Sequence, residues 1–184
     1  MLKGIDVSKW QATTPNGYDF VIARATHGIT KDNKFVKHIS NTTTPLIGAY
    51  HFAKTNYEWL PCARQFLAVC HSIDKPLLLA LDIEGVDATR TGARNWVRNW
   101  LTYVIRMTGI HPVVYLQSSL IPKYADILKE LDCGLWVAHW GVKTPKITPL
   151  ATWALWQYSD THGKLDVDYF NGGTEQFKKY MGKV

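Results

Sequence analysis

The sequence predicts an α/β fold, an irregular β/α barrel of eight strands, and three observations carry that prediction. The first five strand-like runs are mostly separated by stretches of helical periodicity, the pattern of parallel βα units. One of these runs begins Pro76-Leu77-Leu78-Leu79-Ala80-Leu81, without a polar break, as suits a strand covered on both faces. After the sixth strand the connections change: only Asp160-Thr161-His162-Gly163-Lys164 separates Ser159 from Leu165. A parallel crossover needs about ten to twelve residues, so the last strands are expected to run antiparallel.

Taken in order, residues 2–7 form the first strand, with Asp6 near its end. Ser8-Lys9-Trp10-Gln11 opens a loop in which Pro15, Asn16 and Gly17 are turn residues. This first connection has little helical periodicity and is the weak member of the series. Residues 20–26 form the second strand, closed by His27-Gly28; residues 33–40 suit a short helix and residues 45–52 a third strand. Residues 57–72 read as a helix with Leu60, Ala63, Leu67 and Cys70 on one face, and Pro61 is tolerated near its start. In the next strand Asp82 and Glu84 stand at i and i+2. Their side chains share a face, roughly 6–7 Å apart along the backbone, and Gly85 lets the chain turn away behind them. Residues 89–108 form the best helix, with Trp96, Trp100, Tyr103, Val104 and Met107 on one face and Gly109 as its stop. That spacing marks Trp96 and Trp100 as core. Residues 111–117 are the fifth strand, 120–131 a short helix, 134–140 the sixth strand, 152–159 and 165–170 the seventh and eighth, and 174–181 a terminal helix.

The 184 residues suffice for one sizeable core and fall short of two full domains, so a single domain over residues 1–184 is expected. A net charge of +6 favours an anionic partner. Nucleic acid is not expected, because no dense Lys/Arg run occurs beyond Lys178-Lys179. No window approaches 18 uncharged apolar residues, so no membrane insertion is expected, and residues 1–6 lack the basic-then-apolar pattern of a signal peptide. Cys62 and Cys70 fall roughly 12 Å apart along a helix, too far for a disulfide. With Cys133 they read as free, mostly buried thiols of a reducing compartment. The absence of CxxC or HxxxH spacing leaves no metal and no cofactor to expect.

In β/α barrels the chemistry sits at the C-terminal ends of the strands. Asp6, His51, Asp82, Glu84 and Gln117 all lie at or near such ends. Stability alone does not explain an apolar strand that ends in two same-facing acids, since such charges repel and one pKa rises. A strand surfacing into solvent is the plainer alternative.

Gly4-Ile5-Asp6-Val7-Ser8-Lys9-Trp10-Gln11 resembles the opening motif of family 25 glycoside hydrolases, the Chalaropsis-type lysozymes (N-acetylmuramidases). The resemblance continues through residues 20–28, Gly48-Ala49-Tyr50-His51-Phe52, Leu81-Asp82-Ile83-Glu84, Val113-Val114-Tyr115 and Leu135-Trp136-Val137-Ala138. It ends with Leu155-Trp156-Gln157-Tyr158-Ser159 and residues 165–172, so it spans nearly the whole chain in the family's order. It implies a modified barrel of five βα units plus three further strands. It also implies peptidoglycan glycan strands as the substrate, cut with net retention at the β-1,4 bond between N-acetylmuramic acid and N-acetylglucosamine. Catalytic domains of bacteriophage endolysins are similar.

By the same resemblance the family's Asp-x-Glu motif falls on Asp82 and Glu84, its first acid on Asp6 and its C-terminal acid on Asp166. Asp168 stands where Asn is usual in the family, which keeps Asp168 as the alternative fourth acid. Glu84, with the longer reach, is the expected proton donor. Asp82 is expected to stay ionised, as nucleophile or as the group that orients the substrate's 2-acetamido arm, with Asp6 and Asp166 tuning protonation. Tyr50, Tyr115, Trp136 and Gln157 are the expected groove residues, His51 a supporting residue, and Lys9 and Arg24 either cations that balance the acids or bind the lactyl peptide stem, or plain solvated surface charges. Carboxyls about 5–5.5 Å apart indicate retention and about 6.5–9.5 Å inversion, so the strand spacing by itself leaves the stereochemistry open.

Three rivals use the same residues: a Mg²⁺-dependent hydrolase, since hard cations take oxygen ligands, a non-catalytic wall-binding module, and a chitinase-like enzyme. The resemblance leaves no room for a separate wall-binding domain. A monomer is expected, made in a host cytoplasm and reaching the wall after release, with a phage holin as the simplest helper.

Overall fold

The computed structural model describes residues 1–162 and 165–184. In chain order the elements are β1 (Leu2–Val7), β2 (Phe20–His27), β3 (Thr30–Lys31), α1 (Phe35–Asn41), β4 (Ile47–Phe52), α2 (Trp59–His71), β5 (Leu77–Asp82), α3 (Gly85–Thr89) and α4 (Ala93–Thr108). Then follow β6 (Val113–Gln117), α5 (Ile121–Glu130), β7 (Gly134–Ala138), β8 (Leu155–His162), β9 (Leu165–Phe170), α6 (Thr174–Lys178) and β10 (Met181–Gly182).

Eight strands close into a barrel in the order β1, β2, β4, β5, β6, β7, β8, β9, with β9 returning to β1. The pairings from β1 round to β8 are all parallel. β9 runs antiparallel to both its neighbours. The short last connection has this effect, although Gly163 and Lys164 within it lie outside the described residues. Helices α1, α2, α4 and α5 cover the outside. The first connection, residues 8–19, contains no helix, as Pro15 and the missing periodicity foreshadow, and neither does the crossover from β7 to β8.

Alternation along the strands divides the core in two. Outward-facing Leu79, Leu81, Val114 and Leu116 pack beneath the helices with Trp96, Trp100 and the buried thiols of Cys62 and Cys70. Inward-facing Phe20, Ile22, Leu78, Ala80, Val113, Leu155 and Phe170 fill the lower barrel. Phe177 of α6 plugs its floor, 5.1 Å from the Phe20 ring and 4.9 Å from Phe170. The packing at this level is tight: a Cβ on Gly4 of β1 would stand 2.4 Å from the Phe20 ring.

Three expected elements change. The helix expected over residues 174–181 stops at Lys178, and Met181–Gly182 instead pairs antiparallel with the start of β5. The buried face of α4 runs through Ala93, Trp96, Val97, Trp100, Leu101 and Val104, while Met107 lies past it and is 57% exposed. The turn after Glu84 is itself a short helix, α3, begun by Gly85 at φ +56.

Candidate active site

Above the apolar lower barrel, the inward positions turn polar. Register lines them up across neighbouring strands: Phe52 of β4 lies beside Asp82 of β5, Asp82 beside Tyr115 of β6, Tyr115 beside Trp136 of β7, and Gln157 of β8 beside Asp168 of β9. Asp6 of β1 pairs with Asp166 of β9. The result is a cavity of about 290 Å³ at the C-terminal ends of the parallel strands, lined by Asp6, Tyr50, Asp82, Glu84, Tyr115, Trp136, Gln157 and Asp166. All eight residues expected from the sequence therefore meet in one place. Asp82 and Glu84 both reach the cavity, as alternation across Ile83 requires.

A hydrogen-bond chain fixes the walls. The Gln157 amide nitrogen donates to Asp6 Oδ2 at 2.8 Å, while Gln157 Oε1 accepts from the Tyr115 hydroxyl at 2.9 Å and from the Trp140 indole N–H at 3.1 Å. Burial, with the surrounding carboxylates beside it, raises the pKa of Tyr50 and Tyr115, so both hydroxyls remain donors. Asp168 faces the same way as Asp166 but lies beneath the cavity, fully buried, with the Trp136 indole N–H donating to Oδ1 at 2.8 Å. Its Oδ2 is buried without a hydrogen-bond partner, as is Asp82 Oδ1.

Burial and crowding raise the pKa of every acid here above the ordinary carboxylate range. Burial, then Asp168 and Asp166, pushes Asp6 well up. Burial and neighbouring Glu84 do the same to Asp82, against a smaller pull from Arg24. Glu84, only half-buried, is raised by desolvation. Asp166 is lifted to about 6 by burial with Asp160 and Glu84 beside it, and Asp168 to about 7 by burial. Crowded carboxyls that cannot all ionise share protons near neutral pH. An ionised Asp82 beside a protonated Glu84 is therefore not a state the free protein holds by hydrogen bonds. Among the described residues no group of three His, Cys, Asp or Glu side chains converges as a metal ion requires.

Three residues expected near the site are absent from the cavity lining: Lys9, His51 and Gln117. His51 faces outward from β4, between the rings of Trp96 and Trp100, with a 2.7 Å hydrogen bond between Nδ1 and the Thr26 hydroxyl. Burial lowers its pKa to about 3, so it remains neutral. Arg24 does reach the cavity, but its Nε is committed to the buried Asp32 at 2.9 Å. Trp10, Trp140 and Asp160 also line the cavity and were missed from the sequence. All three lie in loops or near strand ends, where periodicity says nothing about direction; Trp10 stood inside the quoted opening motif without a role, and Trp140 and Asp160 just beyond quoted motifs. A larger hollow of about 670 Å³ opens near the N-terminal ends of β6 and β7, where Asp132 is the one acid lining it.

The model of the family "Glycosyl hydrolases family 25" matches residues 4–167. Lysozyme M1 of Streptomyces globisporus is 29% identical, over 93% of this chain and 68% of that protein. The bacterial lysozyme of Streptomyces coelicolor superposes with a TM-score of 0.77 at 27% identity, covering 97% of this chain and 96% of its own. The CTP1L endolysin superposes at 0.76 with 25% identity, over 98% of this chain and 69% of that one.

Proposed function

Because the chain belongs to glycosyl hydrolase family 25, we propose that this glycoside hydrolase is a muramidase that cuts the β-1,4 bond between N-acetylmuramic acid and N-acetylglucosamine in peptidoglycan, with net retention. The observation that carries the reading is the cavity itself. Asp82 and Glu84, on one face of one strand end, open into it together with Asp6 and Asp166, all with raised pKa values.

Glycoside cleavage needs a proton for the leaving oxygen and negative charge near an oxocarbenium-like carbon. Glu84 is the donor: it is the less buried of the pair, has the longer side chain, and desolvation raises its pKa above the ordinary range. A substrate amide N–H donated to Asp82 would favour its ionised form and leave the shared proton on Glu84. As the glycosidic C–O bond breaks, the proton passes to the departing sugar. The oxygen of the 2-acetamido group, oriented by Asp82, bonds to the anomeric carbon from the opposite face. Glu84, now a carboxylate, takes a proton from water; the water oxygen bonds to the anomeric carbon and the acetamido oxygen leaves. Two inversions give retention.

Asp166 is the preferred fourth acid, since it opens into the cavity while Asp168 lies beneath it. Similarity to the CTP1L endolysin supports a role in phage-type lysis. NMR of the first-formed anomer from a soluble peptidoglycan oligomer tests the reading. The β-anomer is expected first; an α-anomer would overturn retention.

A further inference from the structure

Trp10 lines the cavity yet is 76% exposed, and the Lys9 ammonium lies 4.9 Å above its ring. A bare indole face next to a polar cavity is a surface that a sugar ring covers well, and the ammonium over it gains from the ring's negative face. The pair is held in place. Asp32, 4% exposed, accepts the Lys9 backbone N–H and Arg24 Nε on Oδ2, each at 2.9 Å, and the Lys34 N–H on Oδ1 at 3.0 Å. The Ser8 N–H donates to Gln11 Oε1 at 2.8 Å, which closes the turn before Lys9.

Charge divides this rim from the rest of the mouth. Asp6, Asp82, Glu84, Asp160 and Asp166 line the cavity, so an anionic group is repelled over most of it. On the β1–β2–β4 side the His27 ring, stacked on Phe52 at 5.0 Å, is faced by three cations: Arg24, Lys54 and Lys9. Arg24 is neutralised by Asp32, and Lys54 by Asp87 at 2.6 Å. Lys9 has no carboxylate partner among the described residues.

We infer that Lys9 and Trp10 form a recognition site for the carboxylate-bearing arm of a muramic residue, the indole lying against a sugar ring and the ammonium meeting the carboxylate. That arm distinguishes muramic acid from N-acetylglucosamine. Its carboxylate comes either from the lactyl group itself or from a peptide stem attached to it. The inference rests on the muramidase reading and deepens it: the pair makes the enzyme prefer peptidoglycan over chitin-type strands.

The test uses full-length Glu84→Gln protein, so that nothing is consumed, and three tetrasaccharides followed by titration calorimetry. These are chitotetraose, the alternating muramic tetrasaccharide with free lactyl carboxylates, and the same tetrasaccharide bearing peptide stems. At least one muramic probe is expected to bind more tightly than chitotetraose, and adding Lys9→Gln to remove most of that preference, about five-fold for a partly exposed ion pair. Trp10→Ala is expected to weaken all three. If the stem-free probe loses affinity, the lactyl carboxylate is the ligand; if only the stem-bearing probe does, the stem is. A Lys9→Gln protein whose preference is unchanged, or whose affinities all fall alike, overturns the inference while leaving the muramidase reading standing. If instead neither muramic probe binds and the wild-type protein releases no muramic ends from peptidoglycan, both fall together.

Discussion

Glu84 stands half-buried at the mouth, while Asp82 lies deeper beside Tyr115, and on the proposed mechanism that difference in depth divides their roles. Glu84→Gln is expected to lower kcat by about 10³-fold, within the ~10²–10⁴ that a general acid supplies, because the amide has no proton to give. Asp82→Asn is expected to leave more residual rate if, as proposed, the acetamido group is the nucleophile. Initial rates on soluble peptidoglycan fragments check both, and a near-wild-type Glu84→Gln enzyme would remove Glu84 from the role. Asp168 gives a separate test. Burial lifts its carboxyl to about 7 in the folded protein, against an ordinary aspartate value of about 3.9. A carboxyl with a raised folded pKa binds protons in the native state that the unfolded chain has released. Stability therefore falls as pH rises from about 4 to about 7, then levels off. Asp168→Asn keeps an acceptor for the Trp136 N–H and has no charge to bury. It is expected to raise Tm by several degrees at pH 7, on the order of a few kcal/mol, and by little at pH 4. Thermal melts at the two pH values check this; an equal shift at both would contradict it.

At the scale of elements, the acidic strand owes its end to a short helix. Asp87 of α3, 3% exposed, accepts from Lys54 Nζ at 2.6 Å, from the Thr55 N–H at 2.8 Å and from the Thr55 hydroxyl at 3.0 Å. These bonds tie α3, and with it Glu84, to the end of β4. Asp87→Ala leaves buried donors unpaired and is expected to cost on the order of 2–4 kcal/mol, read as a lower urea midpoint, with a lower kcat as Glu84 loses its support. The strands of this barrel were legible in the sequence because they are apolar runs longer than a turn. Of the four longer helices covering them, α2 and α4 were legible from their period, while α1 and α5 were expected only as short helices between strands. α3 was not: five residues hold too little periodicity, and Gly85 signalled only that the chain turns. β10 is two residues long and exists only because β5 offers a free edge at Leu77 and Leu78. Asp6, Asp82 and Glu84 were legible from their strand ends, whereas Asp166, at the start of β9, was legible only through the family resemblance. Lys9 was named as a cation that balances the acids or binds the peptide stem, but its pairing with Trp10 at the rim was not legible, since that depends on Asp32, more than twenty residues away along the chain.

The whole molecule carries +6 while its cavity gathers carboxyls, so positive charge dominates the rest of its surface. That surface suits the acidic polymers of a cell wall, and such attraction is screened within about 8–10 Å at moderate salt. Clearing of intact wall suspensions is expected to weaken steeply as salt rises, while cleavage of short neutral fragments changes less; a flat response of both would exclude a contribution from charge. Among the described residues no helix is long and apolar enough to cross a membrane, and the closed barrel leaves only short edge strands. On the proposed function this cavity cleaves on the reducing side of N-acetylmuramic acid. The most direct measurement is to digest purified peptidoglycan with the wild-type protein and the Glu84→Gln control, reduce the new ends with borohydride and identify the sugar alcohol. Muramitol from the wild type alone is the expected result; glucosaminitol, or no new reducing end, would contradict it.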